Sequence, residues 1–201
     1  MKDLPNILTF SRIICIPVIV ALFFWSHSFN SAIGSWVLLL VYTYAGVTDY
    51  LDGVLARKLE VTSNIGRMFD PIADKMLVLA MLMMLIWSDR ISGLHILPAI
   101  VILLREVLVS GLREYLAGAD LSLPVTQLAK WKTAAQMGAL GFLAMAAHSP
   151  ALIPSAMIGE LLLWVAAAMT AVTGYHYLMA SLRHIGVFGS DDDTTSDETG
   201  A

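Results

Sequence analysis

Four aspartates, Asp49, Asp52, Asp70 and Asp74, lie within 26 residues of an otherwise apolar chain. At about 100° per residue, Asp49, Asp52, Gly53, Ala56 and Arg57 share a helical arc of about 140°, with Leu51, Val54 and Leu55 on the opposite side. Gly66, Asp70 and Asp74 recur every four residues and stack on one face of the next helix. Four carboxylates meeting between two helices repel one another unless cations intervene. Oxygen-only donors, with no cysteine or histidine nearby, favour Mg²⁺ or Mn²⁺ over zinc. Two such ions neutralise four aspartates, and a pair about 4 Å apart suits phosphoryl displacement. Gly53 and Ala56 withdraw side-chain bulk where something must approach the backbone, and Arg57 adds a bidentate phosphate ligand. Two other readings compete. Salt bridges to Arg57, Arg67 and Lys75 account for the charge but not for its clustering with small residues. A proton or cation pathway has no evident need of a phosphate-binding arginine among metal ligands.

The elements that carry these residues follow from composition. The 201 residues are 58% apolar and 14% charged, with mean hydropathy +0.74. Soluble domains hold about 45–50% apolar residues with glycine included and about 25% charged. A polytopic membrane protein is therefore expected, all-α, since a spanning segment must satisfy its own backbone. With 12 basic against 16 acidic residues, no excess cation is left for nucleic acid. The single cysteine, Cys15, excludes an intramolecular disulfide and a cysteine-based metal site. Crossing a bilayer core takes roughly 20 apolar residues. Six stretches qualify, at about 7–28, 33–57, 67–88, 94–117, 131–149 and 154–182. The N-terminal residues have no small-residue cleavage site after a short apolar core, so no cleavable signal is expected.

Lysine and arginine placement orients the spans. A cytoplasmic N-terminus puts Lys2, Arg12, Arg57, Lys58, Arg67, Lys130, Lys132 and Arg183 on the inner side and only Arg90 on the outer. Both termini and the aspartate face are then cytoplasmic. Five of the acids, Asp191, Asp192, Asp193, Asp197 and Glu198, sit in the last eleven residues, and setting them aside turns a net charge of −4 into +1. The expected organisation is a transmembrane domain over 1–186 and a disordered acidic cytoplasmic tail over 187–201.

Asp49 to Asp74 reads D-x2-D-G-x2-A-R-x8-G-x3-D-x3-D. This resembles, without departure, the signature of the CDP-alcohol phosphotransferase family. The resemblance implies six transmembrane helices, a homodimer, and transfer of a phosphatidyl or related group from a CDP-linked donor to an alcohol. It implies that the four aspartates bind the metal ions and that Asp74 is the general base. It also implies that Gly53, Arg57 and Ser63, joined by Asn6 and Thr9, contact CDP-diacylglycerol.

The signature leaves the acceptor open. Leu4–Arg12, Arg105-Glu106 with Ser110–Glu114, and Lys130–Met137 resemble the branch whose acceptor is glycerol 3-phosphate. Binding that small dianion beside aspartates demands several cations, and Arg105, Arg113, Lys130 and Lys132 are the candidates. Arg105 and Glu106 also read as a charge-neutral pair within the bundle, and an interface lysine such as Lys132 also reads as snorkelling. The expected activity is phosphatidyl transfer to the primary hydroxyl of glycerol 3-phosphate, in a bacterial inner membrane. Phosphatidylglycerol, inositol phosphate and serine are alternative acceptors within the family. His176, in Gly-Tyr-His-Tyr, is expected as a satisfied histidine inside the bundle.

Overall fold

A computed structural model describes residues 4–59, 64–118 and 127–184, with side chains over 11–48, 72–73, 75–116, 127–128 and 130–182. Six α-helices account for nearly all of these residues: α1 Leu4–Ser28, α2 Ala32–Leu59, α3 Asn64–Trp87, α4 Ile96–Gly118, α5 Gln127–Met145 and α6 Ser155–His184. Short 3₁₀ turns at Gly93–His95 and Ala146–His148 add to the connections. Each helix overlaps one expected stretch, the fifth ending at Met145 rather than 149, where a 3₁₀ turn takes over. The fifth starts earlier than 131, because Gln127 and Lys130 lengthen the helix at no hydrocarbon cost, both being exposed. The boundary at 186 and the acidic tail lie outside the described residues.

Local chemistry sets the turns. At the end of α1, Asn30 takes φ 44° while its N–H reaches His27 O and the Ser31 N–H reaches Ser26 O. Asp89, at φ 57°, repeats the arrangement after α3, with Asp89 N–H to Ile86 O and Arg90 N–H to Leu85 O. Both are the paired bonds of a left-handed helix C-cap, at residue types that tolerate that conformation. Ser31 then caps α2 by accepting the Gly34 N–H at 3.1 Å.

Among the described residues, Ser11–Ser28, Gly93–Leu116 and Ser155–Leu182 are long and apolar enough to cross a bilayer. Ala32–Thr48 and Lys75–Trp87 are shorter apolar runs on α2 and α3, helices that continue through the aspartate signature. Ile14, Leu40, Leu104, Val107 and Leu161 are each more than three-fifths exposed. Apolar side chains turned outward on several helices suit a lipid solvent rather than water. The chain is an integral membrane protein.

Inside, α1 packs on α2 and α3, while α6 packs on α4 and α5, and α5 meets α2. Phe23, Leu38, Tyr42, Met81, Leu85, Leu140, Leu143 and Leu163 form the shared core. Lipid tails give apolar helices no reason to associate, so close backbone approach must supply the attraction. Gly159 provides it between α5 and α6: a Cβ there would lie 2.7 Å from Leu143 Cγ and 3.0 Å from the Leu143 backbone nitrogen. Gly159→Ala should therefore lower the thermal midpoint in detergent, at a cost of ~1–3 kcal/mol. Gly111→Ala, where an added Cβ meets nothing within 4 Å, should leave the midpoint unchanged or raise it, since alanine favours helix. Equal effects at the two glycines would refute the packing argument.

Candidate active site

The candidate residues on the described helices lie toward one end of the bundle, with Arg105 near the middle of its helix. That end gathers the start of α1, the end of α2, the start of α3, the end of α4, the start of α5 and the end of α6. Asn6 and Thr9 lie on α1; Asp49, Asp52, Gly53 and Arg57 on α2; Asp70 and Asp74 on α3. Their backbone is continuous helix, and their side chains lie outside the described set, as does Ser63 altogether. The helical backbone supports the one-face placement of Asp49, Asp52, Gly53 and Arg57 and the stacking of Asp70 with Asp74. The four aspartates belong to two successive helices, and an all-oxygen donor set of that kind would fit a hard divalent cation.

The cationic candidates are described in detail. On α4, Arg105, Glu106, Ser110 and Arg113 fall on one broad face through their i, i+4 and i+7 spacing. Arg105 is 9% exposed and Lys132, on α5, only 5%. Lys132 Nζ donates to Glu106 Oε1, and Arg105 Nη1 donates to the same oxygen at 3.4 Å. Arg105 Nη2 donates to Thr173 Oγ1 of α6 at 3.3 Å. Arg113 Nη2 donates to the Tyr177 hydroxyl at 2.7 Å, and its guanidinium carbon lies 4.9 Å from that ring's centroid. Arg105 lies over the same ring at 5.9 Å. From α3, Lys75, the residue after Asp74, donates to Ser110 Oγ. The cluster thus stands one lysine side chain from the aspartate-bearing helix.

The structure brings Arg105, Arg113 and Lys132 together and leaves Lys130 exposed on the other side of α5. Lys132 does not snorkel: its ammonium turns inward to Glu106. His176 differs from the expectation, being exposed and edge-on to Tyr175 at 6.1 Å. One residue further, about 100° around the helix, Tyr177 takes the interior position instead. Thr173, Gly174 and Tyr177 are not among the residues the sequence singles out for the site. Their signal was there as a polar run, Thr-Gly-Tyr-His-Tyr, in which positions 173 and 177 share a helical face.

The cluster has unused bonding capacity. Arg105 Nε and Gln136 Oε1, the latter one turn beyond Lys132 on α5, are buried with no hydrogen-bond partner among the described residues. Among the described residues, Lys132 and Arg105 share one carboxylate and Arg113 stands beside Tyr177, so positive charge exceeds negative in a partly desolvated site. Such a surplus suits a dianion with several acceptor oxygens.

Comparison with known proteins identifies the family. The profile of the family described as CDP-alcohol phosphatidyltransferase matches residues 2–172. A Rickettsia typhi protein is 44% identical over 90% of this chain and 97% of its own length. Proteins from Pseudomonas fluorescens and Cereibacter sphaeroides are 35% and 34% identical over 93% and 91% of this chain, and over 94% and 97% of their own. All three are named CDP-diacylglycerol–glycerol-3-phosphate 3-phosphatidyltransferase. A signature carried by two continuous helices, a cation cluster beside it, and a match reaching from α1 into α6 make this chain a member of the CDP-alcohol phosphatidyltransferase family.

Proposed function

We propose that the protein transfers the phosphatidyl group of CDP-diacylglycerol to the primary hydroxyl of sn-glycerol 3-phosphate, giving phosphatidylglycerophosphate and CMP. The observation that carries this reading is the cluster of Arg105, Lys132 and Arg113 around Glu106 and Tyr177, whose surplus charge suits a phosphate monoester. The names of relatives aligned over nine-tenths of the chain support the same acceptor. Membership in a transferase family sets aside cation conduction.

In this reading Asp49, Asp52, Asp70 and Asp74 hold two Mg²⁺ or Mn²⁺ ions, which when bound supply Lewis-acid polarisation of the donor pyrophosphate. Gly53, Arg57 and Ser63, with Asn6 and Thr9, bind the CDP portion, while the acyl chains stay in the bilayer. Arg105, Arg113 and Lys132 hold the acceptor's phosphate, which fixes its far end and presents the primary hydroxyl to Asp74. Lys130 adds positive potential at the surface of the same end. Asp74 takes the hydroxyl proton. The oxygen forms a bond to the lipid-linked phosphorus, the bond from that phosphorus to the bridging oxygen breaks, and CMP departs with its charge countered by Arg57. The Lys and Arg distribution supports cytoplasmic termini and a cytoplasmic site in a bacterial cell membrane, and the family resemblance supports a homodimer.

Purified protein with CDP-diacylglycerol and Mg²⁺ or Mn²⁺ should release CMP when given glycerol 3-phosphate. EDTA should abolish release and added metal restore it. Release with phosphatidylglycerol, inositol phosphate or serine, but not with glycerol 3-phosphate, would keep the family and reject the acceptor. Asp74→Asn should lower kcat by ~10²–10⁴-fold, the usual scale of general-base loss, with donor binding retained. Near-normal turnover would remove Asp74 from that role. Arg113→Ala, at an exposed guanidinium, should raise KM for glycerol 3-phosphate about tenfold, as expected for a lost charged hydrogen bond. KM for CDP-diacylglycerol should stay within about twofold, and an equal rise in both would count against acceptor binding.

A further inference from the structure

We infer that Glu106 and Tyr177 are positioning residues of the acceptor site, a carboxylate and a phenol that set the cations without touching substrate. The inference rests on the acceptor reading above. Three cationic side chains from two helices do not converge unaided, because like charges in a low-dielectric interior repel. Glu106 resolves this at a single atom, since Oε1 accepts from both Lys132 of α5 and Arg105 of its own helix. Its other oxygen takes part in neither bond, so both cations are drawn toward one point rather than spread along the carboxylate. Tyr177 does the corresponding work from α6. Its hydroxyl accepts from Arg113 Nη2 at 2.7 Å, and its ring lies 4.9 and 5.9 Å from the guanidinium carbons of Arg113 and Arg105. One aromatic face thereby orients two arginines at distances where cation–π attraction operates.

The helix supporting Tyr177 is shaped for this purpose. Thr173 lies one turn before it and accepts from Arg105 Nη2. Between them, Gly174 leaves the space that the Arg105 stem occupies, for a Cβ at 174 would come within 2.9 Å of Arg105 Cγ. Arg105 is thus fixed at Nη1 by Glu106 and at Nη2 by Thr173, while Nε has no partner among the described residues. A guanidinium held in this manner keeps a donor for a phosphate oxygen. The acid that gathers the cations and the tyrosine that flattens them over a ring leave their remaining N–H groups to the ligand.

A positioning role and a merely neutralising one predict opposite signs. If Glu106 only offsets charge, Glu106→Gln strengthens the positive field and lowers KM for a dianionic acceptor. If it positions Lys132 and Arg105, the same change raises KM for glycerol 3-phosphate by about tenfold, and Glu106→Asp recovers part of the loss. KM for CDP-diacylglycerol should stay within about twofold in both variants. Tyr177→Phe keeps the ring and removes the acceptor of Arg113, so KM for glycerol 3-phosphate should rise severalfold with kcat little changed. The measurement is CMP release by the full-length protein in mixed micelles, titrating each substrate in turn, with thermal midpoints recorded alongside. A lower or unchanged KM for glycerol 3-phosphate in Glu106→Gln overturns the inference for Glu106. If that variant does not fold, Tyr177→Phe decides, and an unchanged acceptor KM overturns the inference. Wild-type protein that releases no CMP with glycerol 3-phosphate defeats the acceptor reading itself, a failure distinct from either variant result.

Discussion

Lys132 and Arg105 converge on one oxygen of Glu106 inside a bundle whose buried side chains are mostly apolar. Moving an ion out of water costs several kcal/mol even after the protein relaxes. The site tolerates two cations only because the carboxylate is shared and because α6 adds Thr173 and an aromatic face. That one requirement fixes much else. Helix α5 must turn Lys132 inward, which places Gln136, Ala139, Leu140 and Leu143 on the buried side. Helix α6 must lie close enough to α4 for Tyr177 to reach two arginines, which Gly174 beside Arg105 Cγ allows, while the near contact of Gly159 with Leu143 brings the other end of α6 onto α5. The ionic centre and the small-residue seam are two ends of one packing solution.

The aspartate signature depends on this arrangement as well. Helices α2 and α3 carry the metal-binding carboxylates of the proposed reaction, yet neither supplies a described cation that turns toward the acceptor except Lys75. Its bond to Ser110 on α4 joins the two halves of the site, and Ser110 is one turn from Glu106. A shift of α4 along its axis would therefore move the cation cluster relative to Asp74. In a transfer reaction whose nucleophile must sit within bonding reach of phosphorus, such a shift costs orders of magnitude in rate.

Much of this was legible in the residues themselves. Hydropathy and length placed all six helices, because a membrane forces each span to be long and continuous. The signature was legible because eight fixed positions on two helices leave little room for coincidence. Harder was the choice between Lys130 and Lys132. Both stand at the start of α5 and both looked able to reach the acceptor, but they differ by about 200° of helical rotation. The phase is set by residues downstream: 132, 136, 139, 140 and 143 follow the spacing of a buried stripe. Tyr177 was harder still, since a tyrosine in an apolar helix gives no charge signal, and the neighbouring His176 drew the attention that its exposed position does not support.

The far end of the bundle shows why unused bonding capacity is the better guide to function than burial or charge. Arg90, between α3 and α4, also reaches into the protein, with its guanidinium carbon 5.3 Å from the Phe23 ring centroid. It donates to the Ala144 carbonyl, to Ser26 Oγ at 3.2 Å and to Ser35 Oγ at 3.5 Å. Ser35 meets His148 Nδ1 at 3.0 Å, and His148 Nε2 lies 3.1 Å from the Asn30 carbonyl oxygen, which can only accept. His148 Nε2 therefore donates to that carbonyl, while Nδ1 pairs with Ser35 Oγ. Every link closes on another protein group, so the network ties the ends of α1, α2, α3 and α5 together, and none of its own side-chain atoms is a buried orphan. Arg105 has the same chemistry and is the more buried of the two, yet its Nε has no partner among the described residues. Two arginines with the same side chain thus differ: Arg90 commits its donors to holding helices together, and Arg105 keeps an Nε with no partner among the described residues, as the proposed acceptor site requires.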